Sequence, residues 1–277
     1  MRDTERNGAG HVLLAEDDHV SQAVAGAMLA SLGLDVDVVG DGAEAVKAAT
    51  KNHYQAILLD CQLPILDGYQ VATEIRRLQA GSRRTPIIAV TATPMRSGQE
   101  PCLLAGMDDY LAKPYNSKAL AAVLSRWMPD RSLRTAVLDR TTPSTRPQVR
   151  QAVQSDTARH VLDPEVVGRL ERLGKAAGED LWGQLVILFL VDADARILEL
   201  RQALVDDDTG AVVRSAHLLS GASANVGASD LARLCSTFET DVAQNEPMGG
   251  GPHLAAIEAE LGRVRVALTR AVSAPAA

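Results

Sequence analysis

Ala56-Ile57-Leu58-Leu59-Asp60-Cys61 is an apolar run that ends abruptly in a carboxylate, after which Gln62-Leu63-Pro64 turns the chain away. A short apolar run bounded by turn signals reads as a fully buried strand. In an open α/β sheet, the carboxyl end of such a strand faces the crevice where ligands bind. A carboxyl group is costly to ionise there unless a cation or a hydrogen-bond donor compensates. What surrounds Asp60 therefore decides how the rest of the chain is read.

The same pattern recurs on both sides of this run. His11 to Ala15 is a strand that leads at once into Glu16, Asp17 and Asp18. A helix from Val20 to Leu32 closes on Gly33, and Leu34 to Val39 is the next strand. Asp41-Gly42-Ala43-Glu44 and Asp67-Gly68-Tyr69-Gln70 have the spacing of helix N-termini, the second opening a helix that runs to about Leu78. Pro86 to Val90 is a strand that delivers Thr91, a helix runs to Ala105, and Asp109 to Ala112 is a strand that delivers Lys113. A fifth helix covers Ser117 to Met128. Strands alternating with helices in this way give a doubly wound, five-stranded parallel α/β sheet. All strands then run the same way, so Glu16, Asp17, Asp60, Thr91 and Lys113 share one edge.

Each of these residues alone has an ordinary reading: a cap, a solvated loop charge, a structural hydroxyl. Strand ends carrying acid, acid, hydroxyl and ammonium on one edge point to chemistry instead. Clustered carboxylates repel one another, and a hard divalent cation with oxygen ligands relieves that repulsion. Mg²⁺ suits a site with few carboxylates and a phosphoryl oxygen. Asp60 is the candidate nucleophile towards a phosphoryl group, with the metal, Lys113 and Thr91 each binding or neutralising one oxygen. Phosphoryl transfer asks mainly for such positioning and electrostatics.

Residues 11–129 resemble response-regulator receiver domains. The resemblance is carried by Leu13-Leu14-Ala15-Glu16-Asp17-Asp18, Leu59-Asp60-Cys61-Gln62-Leu63-Pro64, Asp67-Gly68, Ala89-Val90-Thr91-Ala92 and the run from Gly106 to Pro114. It implies Asp60 as phosphoacceptor, Glu16 and Asp17 as the Mg²⁺-binding acidic pair, and a backbone carbonyl ligand from Gln62. Thr91 and Lys113 would sense the phosphoryl group, and Tyr110 takes the position of the switch aromatic. Two prolines depart from the pattern near the fourth helix, Pro94 and Pro101, and point to a late start for that helix.

From 130 to 160 the periodicity stops, and Pro143, Pro147 and scattered Ser, Thr and Arg read as a flexible linker. As a coil, about 31 residues reach roughly 28–33 Å, so contact between the flanking domains is allowed. Residues 161–272 show helix signals and no strand signals. Asp163-Pro164-Glu165 starts a short leading helix, and helices follow from Asp180 to Val205, from the Asp206 to Thr209 caps through Val226, and from Ser229-Asp230 to Gln244. Met248-Gly249-Gly250-Gly251-Pro252 reads as a break before a last helix from His253 to Val272. The simplest architecture is an all-α four-helix bundle.

On that bundle, Ala211, Val212, Ala216, Leu218, Leu219, Ala222 and Val226 form one broad apolar face, and His217 points away from it. Its outward neighbours Gly210, Val213, Ser220, Gly221 and Ala224 are mostly small, which leaves the imidazole open to another domain, and Arg214 stands at i−3. The string from Ala216 to Ala228 resembles the signature of histidine-containing phosphotransfer (HPt) domains. That resemblance implies His217 as the phosphorylated histidine and Gly221 as the small residue that lets a receiver approach. It departs at Ser220, where the family usually has lysine; Arg214 is the cation that could replace it.

The formal charge of −7 and pI near 5.4 argue against a nucleic-acid or anionic-membrane surface. Cys61, Cys102 and Cys235 have neither disulfide-framework nor zinc spacing. The N-terminus lacks an apolar signal region, so a cytoplasmic protein is expected. Gly168 and Gly174-Lys175-Ala176 do not make a P-loop. The expectation is a phosphorelay protein that is not itself an ATP-using enzyme. Its partners would be a sensor histidine kinase and other receiver or HPt proteins, with a possible receiver–HPt contact inside the chain. Two other readings stand beside it: a receiver-controlled binding module, and a metal-dependent phosphatase. The second needs an acid two residues after Asp60, where Gln62 stands.

Overall fold

The computed structural model describes residues 10–80, 84–91, 99–128, 161–177, 180–244 and 250–273. Strands β1 (Gly10–Ala15), β2 (Leu34–Val39), β3 (Ala56–Asp60), β4 (Ile87–Thr91) and β5 (Asp109–Ala112) form one sheet in the order β2-β1-β3-β4-β5. Every pairing is parallel, and the register sets Ala15 beside Leu59, Asp60 beside Val90, and Thr91 beside Ala112. The strand ends therefore line up on one edge, as the sequence reading requires.

Parallel strands covered on both faces must be apolar throughout. Here Leu13, Ile57, Leu59, Ile87 and Ala89 face one side, where Ala45, Val71 and Ile75 cover them. Val12, Leu14, Leu58, Ile88 and Val90 face the other, under Val20, Val24, Leu120 and Leu124. The covering helices of the first side are α2 (Gly42–Lys51), α3 (Gly68–Leu78) and α4 (Gln99–Leu104); those of the second are α1 (His19–Ser31) and α5 (Ser117–Trp127). Local signals start them. Asp18, Asp41 and Asn116 each cap a helix through a backbone N–H three residues on, and Asp67 with Gln70 makes a reciprocal capping box. Pro101 lies in the first turn of α4, where proline is tolerated. Pro94 and the expected linker lie outside the described residues.

Five helices follow: α6 (Pro164–Ala177), α7 (Leu181–Val205), α8 (Thr209–Asn225), α9 (Ser229–Ala243) and α10 (Gly250–Ser273). Contacts of α7 with α8, α8 with α9, α9 with α10 and α10 with α7 close a four-helix ring around Phe189, Leu219, Phe238, Ile257 and Val264, all fully buried. The last helix begins at Gly250 rather than His253. Gly251 and Pro252 fall in its first turn, where a proline without an N–H loses no helical hydrogen bond. Helix α6 packs on α7 and also reaches α1.

The two domains are in contact. Helix α1 packs against α6, α7 and α8, and one apolar cluster runs from the sheet through Val24 and Met28 into the bundle.

Gly68 fixes how α3 leaves the end of β3. A methyl group there would overlap the carbonyl oxygen of Asp60 and come within 2.8 Å of the Cys61 Cα. Gly68→Ala is expected to destabilise the protein by about 1–3 kcal/mol through this overpacking, measured by urea unfolding.

Candidate functional site

The loop after β1, the ends of β3 and β4, and the residue after β5 bring Glu16, Asp17, Asp60, Thr91 and Lys113 together. Glu16, Asp60 and Thr91 are buried. Lys113 Nζ bonds Asp60 Oδ2 at 2.7 Å and Glu16 Oε2 at 2.6 Å, and the Gln62 backbone N–H donates to Asp60 Oδ1 at 2.9 Å. Burial lowers the affinity of Lys113 for its proton, but the two carboxylates outweigh it and the ammonium is held firmly charged. Burial, then the charge of Asp60, pushes the Asp17 carboxyl up to about 6. Glu16 is likewise raised, mainly by burial. The cluster thus holds more acid than one ammonium cancels.

Oxygen atoms of Glu16, Asp17 and Asp60 lie within 4.8 Å of one another. An all-carboxylate oxygen set with surplus negative charge fits a hard divalent cation such as Mg²⁺. Tyr110 is partly exposed on β5, its backbone N–H bonded to Asp109 Oδ1.

On the bundle, His217 is half-buried on α8 and faces the receiver rather than solvent. Its Nδ1 lies 3.0 Å from Glu239 Oε1 on α9. Burial alone would lower its pKa, but the Glu239 hydrogen bond and charge, with Asp60 farther off, raise it above the ordinary imidazole value. With Nδ1–H donated to Glu239, the Nε2 lone pair is left free. Glu239 was not among the residues the sequence singled out; it stands 22 positions from His217 on an antiparallel helix, and nothing in its local pattern marks it.

Ser220 donates its hydroxyl to the Ala232 carbonyl at 2.9 Å, so that group is turned to α9. Arg214 is exposed, with its guanidinium near Gly210 and along a larger cavity of about 760 Å³ between the domains. A Cβ built on Gly221 meets no heavy atom within 4 Å, so this glycine borders open space instead of touching the receiver. That space is a second cavity of about 290 Å³, lined by Glu16, Asp17, Asp60 and Lys113 on one wall and by His217, Gly221 and Glu239 on the other.

Residues 12–125 match the response regulator receiver domain family and residues 184–267 the Hpt domain family. Among curated proteins, the sensor protein GacS of Pseudomonas syringae is 31% identical over 242 residues, covering 86% of this chain and 25% of the relative. The histidine-protein kinase BarA of Escherichia coli is 28% identical over 229 residues, covering 82% of this chain and 23% of the relative. The chain thus spans about a quarter of the length of the curated relatives it matches. A receiver domain of a Pseudomonas aeruginosa sensor histidine kinase, solved with magnesium in its active-site cleft, is 50% identical. It covers 43% of this chain and 98% of its own, with a TM-score of 0.41. A parallel sheet edged by acids and a lysine, a helical bundle bearing His217, and both family matches lead to one assignment: the chain carries a response regulator receiver domain followed by an Hpt domain.

Proposed function

We propose that this chain is a phosphorelay component in which Asp60 accepts a phosphoryl group from a phosphohistidine and exchanges it with His217. The observation that carries this reading is the shared cavity, which has the Asp60 cluster on one wall and His217 on the other. Transfer within the cavity breaks the P–O bond to Asp60, whose carboxylate keeps the electron pair, and forms a P–N bond to His217 Nε2. Glu239 keeps the Nδ1 proton in place and offsets the positive charge that the ring gains. Lys113 and Thr91 bind phosphoryl oxygens, and Tyr110 follows Thr91 as the switch aromatic.

Glu16, Asp17, Asp60 and the Gln62 carbonyl would hold Mg²⁺, which when bound supplies positive charge beside the phosphoryl oxygens. The donors and acceptors are a sensor histidine kinase and other receiver or HPt proteins in the cytoplasm. The working units are residues 11–129 and 161–272, joined by 130–160. Among the described residues no helix is long and apolar enough to cross a membrane.

Labelling with a small acyl phosphate and Mg²⁺ tests the reading. Wild-type protein is expected to acquire acid-stable aspartyl phosphate and then acid-labile histidyl phosphate. Asp60→Ala abolishes both, and His217→Ala abolishes only the second. Aspartyl label without histidyl label would leave a receiver-controlled docking module as the function. Mg²⁺ titration by calorimetry supplies a second check. Changing groups behind a metal's ligands already costs about 10-fold or more in affinity, so Asp17→Asn, which removes a proposed ligand, is expected to weaken binding at least that much.

The transfer step should also depend on pH. A protonated Nε2 has no lone pair, so the rate rises with pH through the His217 pKa. Glu239 on α9, with Asp60 and Lys113 across the cavity, sets that value, and the net effect is upward. Glu239→Gln keeps a hydrogen-bond acceptor and removes the charge. Its rate profile is expected to shift to lower pH, read by quenched-flow transfer at a series of pH values.

A further inference from the structure

Where the middle of α1 faces α8, the lining is mostly small and apolar. Val24, Ala25 and Met28 of α1 contribute to it together with Gly221 and Ala224 of α8. Among them, Asn225 Nδ2 donates to Ser21 Oγ at 2.9 Å. Ser21 in turn donates its hydroxyl to Asp18 Oδ2 at 2.5 Å, and its backbone N–H donates to the same oxygen at 2.7 Å. Asp18 is the N-cap of α1 and directly follows Glu16 and Asp17. A short chain of hydrogen bonds thus runs from the end of α8 to the turn that holds the acidic pair.

We propose that the Asn225–Ser21 hydrogen bond is a register-setting contact of the receiver–bundle interface, fixing where His217 stands along the Asp60 edge. The inference rests on the phosphoryl-transfer reading above. Apolar packing is non-directional, so α8 could slide on α1 at little cost to buried area. A slip of one helical turn moves it by about 5.4 Å. Transfer needs its reacting atoms about 3–3.5 Å apart, and displacements near 1 Å can cost about 100-fold in rate. Ser21 is about 5% exposed, so a slipped interface would deprive its buried hydroxyl of the Asn225 donor. Asn225 and His217 lie on the same helix, about 12 Å apart along its axis, so fixing one end fixes the other. Asn225 and Ser21 are positioning residues; neither needs to touch the phosphoryl group.

The test uses the full chain. Asp60 is loaded by a small acyl phosphate with Mg²⁺, and the passage of label to His217 is followed by rapid quench. Asn225→Ala and Ser21→Ala are each expected to slow this passage by about five- to tenfold, the effect of one neutral hydrogen bond. Since both remove the same bond, the double variant should be no slower than the slower single one. Ser21→Thr keeps the hydroxyl beside the cavity and should transfer at close to the wild-type rate. The rate of Asp60 labelling reports on the integrity of the receiver, and Asn225→Ala should leave it unchanged. If Ser21→Ala disturbs that labelling, the Asn225→Ala result alone decides.

Wild-type rates in Asn225→Ala, effects that multiply in the double variant, or failure of Ser21→Thr to restore transfer would each overturn the proposal while leaving the relay intact. Wild-type protein that labels Asp60 and never His217 would overturn both.

Discussion

One ammonium holds the receiver edge together. Lys113 lies between Glu16 and Asp60, two carboxylates that the fold buries almost completely. In the sheet order, β4 separates the strand of Lys113 from that of Asp60. Adjacent strands are about 4.8 Å apart, so about 9.6 Å has to be bridged. A long cationic side chain from β5 can do this, and a short one cannot. Taking away one partner of a buried ion pair strands the other, which is far costlier than never having made the pair. The acids can sit at the floor of the crevice because the lysine does, and the remaining negative charge makes the site receptive to a cation.

This part of the molecule was legible in the sequence for a simple geometric reason. Parallel strands place their carboxyl ends together, and four strands in a row end in a residue with useful chemistry. Helix α1 runs His19–Ser31 against an expected Val20 to Leu32, because its Asp cap and glycine stop are local signals. The start of α10 was misplaced because Gly250-Gly251-Pro252 has the composition of a break yet suits a first turn. Glu239 and Asn225 escaped notice for another reason. Their partners lie 22 and 204 residues away, and such pairings come from packing, not from periodicity.

The docking of the bundle did leave a trace that could have been read. Helix α1 contains no Lys, Arg, Asp or Glu along its thirteen residues. Helices α2 and α3, on the opposite face of the sheet, carry Glu44, Lys47, Lys51, Glu74, Arg76 and Arg77. A helix covering one face of a sheet normally turns a polar stripe outward, whereas one that is apolar all round is buried on both sides. The inner side of α1 is the sheet core, with Val20 and Leu29 fully buried. Its outer side has the same character because α6, α7 and α8 lie over it.

That covering changes what Ser220 means. Read as a bundle alone, the chain lacks the ammonium its relatives usually place three residues after the histidine, and Arg214 is turned back towards Gly210. With the domains docked, the charge of Asp60 and, more weakly and in the opposite sense, that of Lys113 reach His217 from across the cavity. The hydroxyl of Ser220 is meanwhile spent on the Ala232 carbonyl, tying α8 to α9. The receiver thus faces His217 with both the Asp60 carboxylate and the Lys113 ammonium, while the bundle contributes the carboxylate of Glu239. Charges from both domains therefore act on His217, so its electrostatic environment is set only when α8 is seated on α1.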